Sequence, residues 1–478
     1  MNFSLKTGPL SQKGTLGPNE IYLADEGRMF ITDTLSSEQE FNLSAFVNGI
    51  VDSEIIQALS TSPQILASLQ QLAAAIAVDP SIANTVLSTK VDNNDLRLAD
   101  ERTPSDGSVT FLKLISGMNE WLKAYGYETD SEPISRHRYM PNNYAVLDAN
   151  NHYHQMVEIN RKNWDATNGF AAATIHDAFI VGGVQGRLML GKVPATNDWI
   201  GKPVSWMNRI PMTNNSFDQE LALVSALNNG GTITGFHDMT IVEWALLMQI
   251  IKNSGVTVLG NNNWGQDIND KMITFRLGVP AAFADHASDG RHYTGSGGNL
   301  TSHNNENDGI FDLTGGVWQR LAGCRIVNGE IQIFDKNNAA NHQLDQSDAS
   351  LSYLSILEDG TLVSPGTANT LKYSVNGNIT KAVPAPVNSS KPFNAIGCEP
   401  DVNSSSNGIA LLKKLGLYPY TTSMGGTFWF NTAGTFVPFR GADWGNAANA
   451  AVPALNCNNT RSSANSNIGF RVAFWSPL

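Results

Sequence analysis

The sequence predicts an α+β protein built on a mainly antiparallel sheet. Two helical segments with complete start and stop signals lie between one early strand-like segment and several late ones, separated by long polar loops. In "SFDQELALVSALNNGG", Ser216 is an N-cap, Gln219 completes a capping box, and Gly230 and Gly231 are the stop. In "TIVEWALLMQIIKNSG", Thr240 and Glu243 form the box, Trp244, Leu247, Met248 and Ile251 share one face, and Gly255 ends the helix. Strand patterns run through "DAFIVGGVQGRLMLGKV", through "GCRIVNGEIQIF" with its Asn328-Gly329 hairpin signal, and through the terminal "IGFRVAFW".

These elements belong to a C-terminal domain over 131–478. Ahead of it, residues 1–50 alternate in short runs such as "EIYLADEGRMFITD" and read as a small β segment. Residues 51–130 begin with a helical pattern: Ile65, Leu69, Leu72 and Ile76 are spaced as a coiled-coil seam, and Ala83 extends it. Pro63 and Pro80 keep each helix short, and a short helix gains stability by pairing with copies of itself. Residues 350–410, with "VPAPVNSSKPF", fit either an inserted lobe or long loops.

Composition narrows the function. Only 15% of residues are charged, so Asn, Ser, Thr and Gly must make the surface polar, which suits an extracellular or virion setting. A net charge of −12 gives no general attraction to nucleic acid or anionic membranes. The N-terminus lacks a secretory apolar core. The longest apolar stretch, "IVEWALLMQII", contains Glu243 and falls short of the roughly twenty residues that span a bilayer.

Cys324, Cys398 and Cys457 are odd in number and widely spaced, which argues against a disulfide framework or a zinc site. "DKNNAANHQLDQSD" lacks the glycine and final glutamate of a calcium loop, so Asp335 and Asp345 read as solvated loop residues. His152 and His154 in "NNHYHQM" are the one metal-like spacing and weak candidates; no cofactor is expected.

The chain ends in "LNCNNTRSSANSNIGFRVAFW". Residues 456–467 hold five asparagines and no large apolar side chain, and an apolar strand follows. In that strand Phe470, Val472 and Phe474 alternate with Arg471, Ala473 and Trp475, so both faces can pack. A strand anchored on both faces would carry the preceding "ADWGNAANAAVPALNCNNTRSSANSN" as a polar recognition loop on a rigid frame. Arg440, Gly441, Trp444, Gly445, Gly469, Phe470 and Arg471 read as scaffold. Asp443, Asn446, Ala448, Asn449, Ala454, Asn456, Asn458 and Asn459 read as ligand-facing.

Two resemblances add to this reading. "ALSTSPQILASLQQLAAAIAVDPSIANTVLSTKVD" followed by "NNDLRLADERTPSDG" resembles the repeated linker of bacteriophage tail fibres, which are trimeric virion proteins. The phrases "GFHDMTIVEWALLMQIIKNSG", "GNNNWG", "HYTGSGG", "GIFDLTGGVWQRLAG", "GEIQIF", "DGTLVSPGTANTLKY", "FRGADWGNAANAAVPALNCNN" and "NIGFRVAFW" occur in one order. Together they resemble the C-type-lectin-fold variable proteins of diversity-generating retroelements, which share a fold superfamily with formylglycine-generating enzymes.

That resemblance implies a C-type-lectin-like domain with a variable region at about 436–475, in which asparagine codons are rewritten. It implies a phage or prophage tail protein: residues 1–50 attach to the particle, 51–130 form a trimeric stalk, and the C-terminal domain binds a host-cell receptor, protein or glycan. The alternatives are a non-diversified virion decoration protein, and an enzyme of the formylglycine-generating or glycan-active type. The oxidase of that superfamily needs a close cysteine pair near its C-terminal strands, where this sequence places only Cys457.

Overall fold

The computed structural model divides the chain into two compact units, Met1–Tyr125 and Gly126–Leu478. In the first it describes four strands, Ser4–Gly8, Glu20–Ala24, Arg28–Thr32 and Glu38–Asn42; in the second it describes residues 136–163, 174–197, 201–230, 233–268 and 290–478. The four N-terminal strands form one sheet in sequence order, the first pair parallel and the others antiparallel. The stalk expected over 51–130 lies outside the described residues.

In the second unit the α+β expectation holds, with three helices rather than two among the described residues: α1 (Phe217–Ser225), α2 (Ile241–Ser254) and α3 (Asn407–Lys414). Both expected capping boxes form, Ser216 with Gln219 and Thr240 with Glu243, and Gly255 ends α2 in the left-handed region at φ 70°. Helix α1 stops earlier than expected, at Ser225 rather than before Gly230. The Asn228 amide explains this: it takes the Ser225 carbonyl at 3.2 Å and brackets Phe236 through its N–H and its carbonyl, both at 2.9 Å. Helix α2 departs further from expectation, because every residue from Ile241 to Gln249 is buried, not one face alone. It is the central helix of the domain.

Among the described residues of this unit there are three larger sheets and one two-stranded sheet, Thr196–Asn197 with Pro203–Val204. An antiparallel sheet runs Phe236–Asp238, Val472–Pro477, Val184–Gly191, Tyr153–Ile159, Asn143–Leu147, Arg136–Met140. A second antiparallel sheet is built on the Cys324–Val327 and Glu330–Ile333 hairpin, whose Asn328 and Gly329 both take positive φ, 48° and 80°, as a two-residue turn of this kind requires. The third, of six strands, mixes directions: Thr427–Asn431 pairs parallel with Leu455–Cys457, and Trp318–Arg320 pairs parallel with Ile468–Gly469.

Residues 350–410 form no separate lobe. Tyr373, Ile379, Phe393, Ile396 and Ile409 join the same apolar cluster as Trp244 and Leu247. The N-terminus of α2 closes that cluster with a buried polar network. Glu243 accepts from His237 Nε2 and Asn337 Nδ2, both at 2.8 Å, and from the Thr240 N–H at 2.9 Å.

Trp244 is fully buried, and its indole N–H donates to Val452 O at 2.9 Å, so this one side chain joins core and C-terminal loop. Trp244→Ala should lower stability by about 3–5 kcal/mol in urea unfolding, as buried aromatics cut to alanine do.

Candidate functional site

The terminal strand pattern resolves into two strands on two sheets, not one. Ile468–Gly469 pairs with Trp318–Gln319, and Val472–Pro477 pairs with Phe236–Asp238 and Val184–Gly191. At the crossing, Phe470 O accepts from Ala195 N–H at 2.8 Å and Arg471 O from Met239 N–H at 2.9 Å. Phe470, Val472 and Phe474 pack with Phe236 and Met189, while Ala473 joins the cluster around Trp244 and Trp475 packs on Val181 and Ala340.

The Arg471 side chain is fully buried at this crossing. It donates to Gln319 Oε1 at 2.8 Å, Gly191 O at 2.7 Å and Phe311 O at 2.8 Å. Arg440, also fully buried, donates to Pro453 O at 2.8 Å and to Gly416 O. A third buried arginine, Arg320, donates to Asn215 O at 3.1 Å and to Ser463 O, with its Nη1 2.9 Å from Glu220 Oε2. Arg320 escaped sequence reasoning although it lies in the quoted "GGVWQRLAG". An arginine in a strand pattern reads as exposed until its partners are known.

The polar loop between these anchors is fastened through its main chain. Carbonyls of Gly441, Val452, Pro453, Asn459, Arg461, Ser463, Asn465 and Asn467 accept, in turn, from Gly315 N–H, Trp244 Nε1, Arg440, Val437 N–H, Phe217 N–H, Arg320, Asn214 N–H and Trp318 N–H. The Trp444 N–H returns to Gly316 O at 3.2 Å. These bonds do not depend on which side chains the loop carries. Arg461 adds a side-chain tie: its Nε meets Asp218 Oδ1 at 2.8 Å and its Nη1 meets Gln346 O at 2.6 Å.

The expected ligand-facing residues separate by exposure. Ala448 and Asn449 are exposed, and Asn446, Asn458 and Asn459 are half-buried. Three expectations are corrected. Ala454 is fully buried beside Trp318 and Phe439, because it leads into the Leu455–Cys457 strand. Asn456 is 7% exposed within that strand, and its Oδ1 accepts from Asn458 N–H at 3.0 Å and Asn459 Nδ2 at 3.0 Å. Asp443 is 8% exposed and works as a bracket, accepting from Gly445 N–H at 2.8 Å and Asn467 Nδ2 at 2.5 Å. Burial pushes its carboxyl up, against the lowering effect of those donors.

Among the residues read as scaffold, Gly441, Gly469 and Phe470 are buried, Gly445 is exposed and Trp444 is half-buried. Gly441 has φ 83°, and a Cβ there would lie 2.7 Å from Leu313 O. Trp444 packs over Gly290, where a Cβ would fall 2.2 Å from its ring. Residues the sequence reading passed over complete the surface: Thr460, Ser462, Ala464, Asn465 and Ser466 are exposed, and Trp429 is half-buried on the sheet face it shares with Asn456 and Trp318. The polar run 456–467 held the signal for the first five. Nothing local marked Trp429.

The metal-like pair is also corrected. His154 is fully buried inside the domain, its Nε2 3.1 Å from Asp148 Oδ2 and its ring against Phe236. His152, half-buried, precedes the strand. No group of three or more His, Cys, Asp or Glu suited to a metal occurs among the described residues. No described helix is long and apolar enough to cross a membrane.

Cys324 and Cys457 join the same apolar cluster as Trp244, a shared burial the sequence reading did not foresee. Both are fully buried free thiols; burial pushes Cys324 up to about 12 and Cys457 well above its usual range. That is the opposite of an activated nucleophile.

Arg471→Met should cost about 3 kcal/mol or more in urea unfolding, since it strands buried acceptors on Gly191, Phe311 and Gln319. Asn465→Ala, at an exposed side chain, should stay within about 0.5 kcal/mol.

No family model and no curated protein matches the chain. Among solved structures it is similar to Treponema denticola variable protein 1, at 12% identity over 70% of this chain and 99% of that one, with a TM-score of 0.28. It is also similar to the Major Tropism Determinant U1 Variant, at 9% identity over 73% of this chain and 86% of that one, with a TM-score of 0.28. At these scores the functional reading is carried by the residues themselves.

Proposed function

We propose that the domain over 131–478 is a receptor-binding adhesin of a phage or prophage tail, with a C-type-lectin-like fold and a retroelement-diversified surface. The observation that carries this is the fastening of 441–467 through eight carbonyls, which leaves Ala448, Asn449, Asn458, Thr460, Ser462 and Asn465 replaceable. A frame indifferent to its side chains is what diversification needs, and the asparagine-rich composition is what rewriting of adenine-rich codons would leave.

Short polar side chains lose little entropy on binding but offer little apolar area, so a single copy binds weakly. A trimer formed through 51–130, attached to the particle through 1–50, supplies multivalency worth roughly 10²–10⁴ in apparent affinity. Partners on this reading are the host receptor, tail proteins and the chain itself; no cofactor, nucleic acid or membrane insertion enters. The burial of Cys324 and Cys457 favours binding over a formylglycine-type oxidation.

Purified protein should compete with the parent particle for adsorption to its host strain. The combined replacement Asn449→Ala, Asn458→Ala and Asn465→Ala should abolish competition with little change in melting temperature. Undiminished competition by the triple variant would reject this surface. In the DNA just downstream, a near-copy of the last hundred or so bases differing at adenines should be found; without it and without a reverse transcriptase gene nearby, the non-diversified virion protein becomes the better reading. Sedimentation should give about three times the chain mass of 51.6 kDa.

A further inference from the structure

Behind the displayed loop, α1 packs on the Phe236–Asp238 strand over a buried charged group. Glu220, Asp238, Glu243 and Arg320 are each at most 2% exposed. Glu243 is fully engaged by His237, Asn337 and Thr240. Glu220 Oε2 lies against Arg320 Nη1 at 2.9 Å, but its Oε1 meets no donor among the described residues, and neither oxygen of Asp238 does. The Met239 N–H, which lowers the Asp238 carboxyl somewhat, makes its hydrogen bond to Arg471 O at 2.9 Å.

One buried guanidinium therefore pairs with Glu220, and Asp238 lies near enough for their charges to act on one another. A second full negative charge there would have to share that single counter-charge, a state that buried carboxyls avoid by keeping a proton. We propose that Glu220 and Asp238 hold one proton between them beside Arg320, and that this shared proton positions the 458–467 segment, because the same guanidinium holds Ser463 O.

The electrostatics point the same way. Burial pushes Glu220 up to about 8 although Arg320 pulls it down; burial, then repulsion from Glu220, pushes Asp238 well above the carboxylate range. Glu243 adds repulsion at Asp238. Asp238 also borders a cavity of about 300 Å³ lined by Ser225, His237 and His342, with Asp218, Asp345 and Arg461. Burial and His237 hold His342 below its usual range, and Arg461 is paired with Asp218.

The sign follows. Unfolded, both acids ionise at about 4, whereas the folded pair keeps its proton, so stability is greatest at acid pH and falls as pH rises towards about 8. When the proton passes to bulk water, two carboxylates compete for Arg320, and Ser463 O loses its donor. The meaning of the device rests on 458–467 being the displayed surface, but its tests use no receptor, so either reading can fail alone.

Hydrogen exchange on the full chain, corrected for intrinsic rates, should be about tenfold faster over 459–467 at about pH 9 than at about pH 6, relative to α2. Asp238→Asn, which replaces the carboxyl with a donor, should remove that difference and flatten the fall of melting temperature with pH. Should that variant fold poorly, infrared spectra of the wild type near neutral pH remain decisive: they should show a protonated-carboxyl band. Equal protection of 459–467 at both pH values, or absence of that band, would overturn the proposal.

Discussion

Buried guanidinium groups bonded to backbone carbonyls are the constraint on which the rest of this domain depends. A guanidinium presents five donors in a fixed plane and cannot shed its charge, so each buried arginine dictates where several carbonyls must stand. Arg471 gathers Gly191, Phe311 and Gln319 at the point where the last segment passes from one sheet to another. Arg440 holds Pro453 and Gly416, and Arg320 holds Asn215 and Ser463. Removing any one would leave acceptors unpaired in the interior, not just a cavity.

The consequence is a division of labour along the chain. Backbone position in 441–467 is decided by groups outside the loop: two arginines, the Trp244 indole, and N–H groups of Asn214, Phe217, Gly315, Trp318 and Val437. Side chains at the exposed positions then contribute to recognition without contributing much to folding. Asp443, Asn446, Asn456, Arg461 and Asn467 depart from this pattern inside the loop, since their side chains bracket turns or tie the loop to its surroundings. A surface built this way resembles an antibody loop in logic: the frame supplies order and the side chains supply chemistry.

Much of this was legible in the sequence, and the misses have physical causes. Capping boxes at Ser216 and Thr240 and the Asn328-Gly329 turn depend on neighbours in sequence, so they read correctly. The alternation after Ile468 named the right packing faces, yet it could not show that Gly469 and Val472 belong to different sheets, because that is decided by partners at Trp318 and Phe236. Helix α2 has one evident apolar face, and the burial of Val242, Glu243 and Gln249 came from the sheets and loops around it. Composition marked 456–467 as polar, but the inward turn of Asn456 follows from its strand register with Trp429 and Phe439, and Ala454 is packed with Trp318 and Phe439. Asn-richness identified the loop; only the hydrogen bonds of its carbonyls identified which side chains are at liberty.

The central claim is that the frame tolerates almost any side chain at the exposed positions and few changes at its anchors. Two displayed libraries test it directly: one randomised at 448, 449, 458, 460, 462 and 465, the other at 320, 440, 443 and 471, each scored by resistance to protease. The account predicts that most members of the first library remain folded and few of the second do. Comparable survival in the two libraries would contradict it.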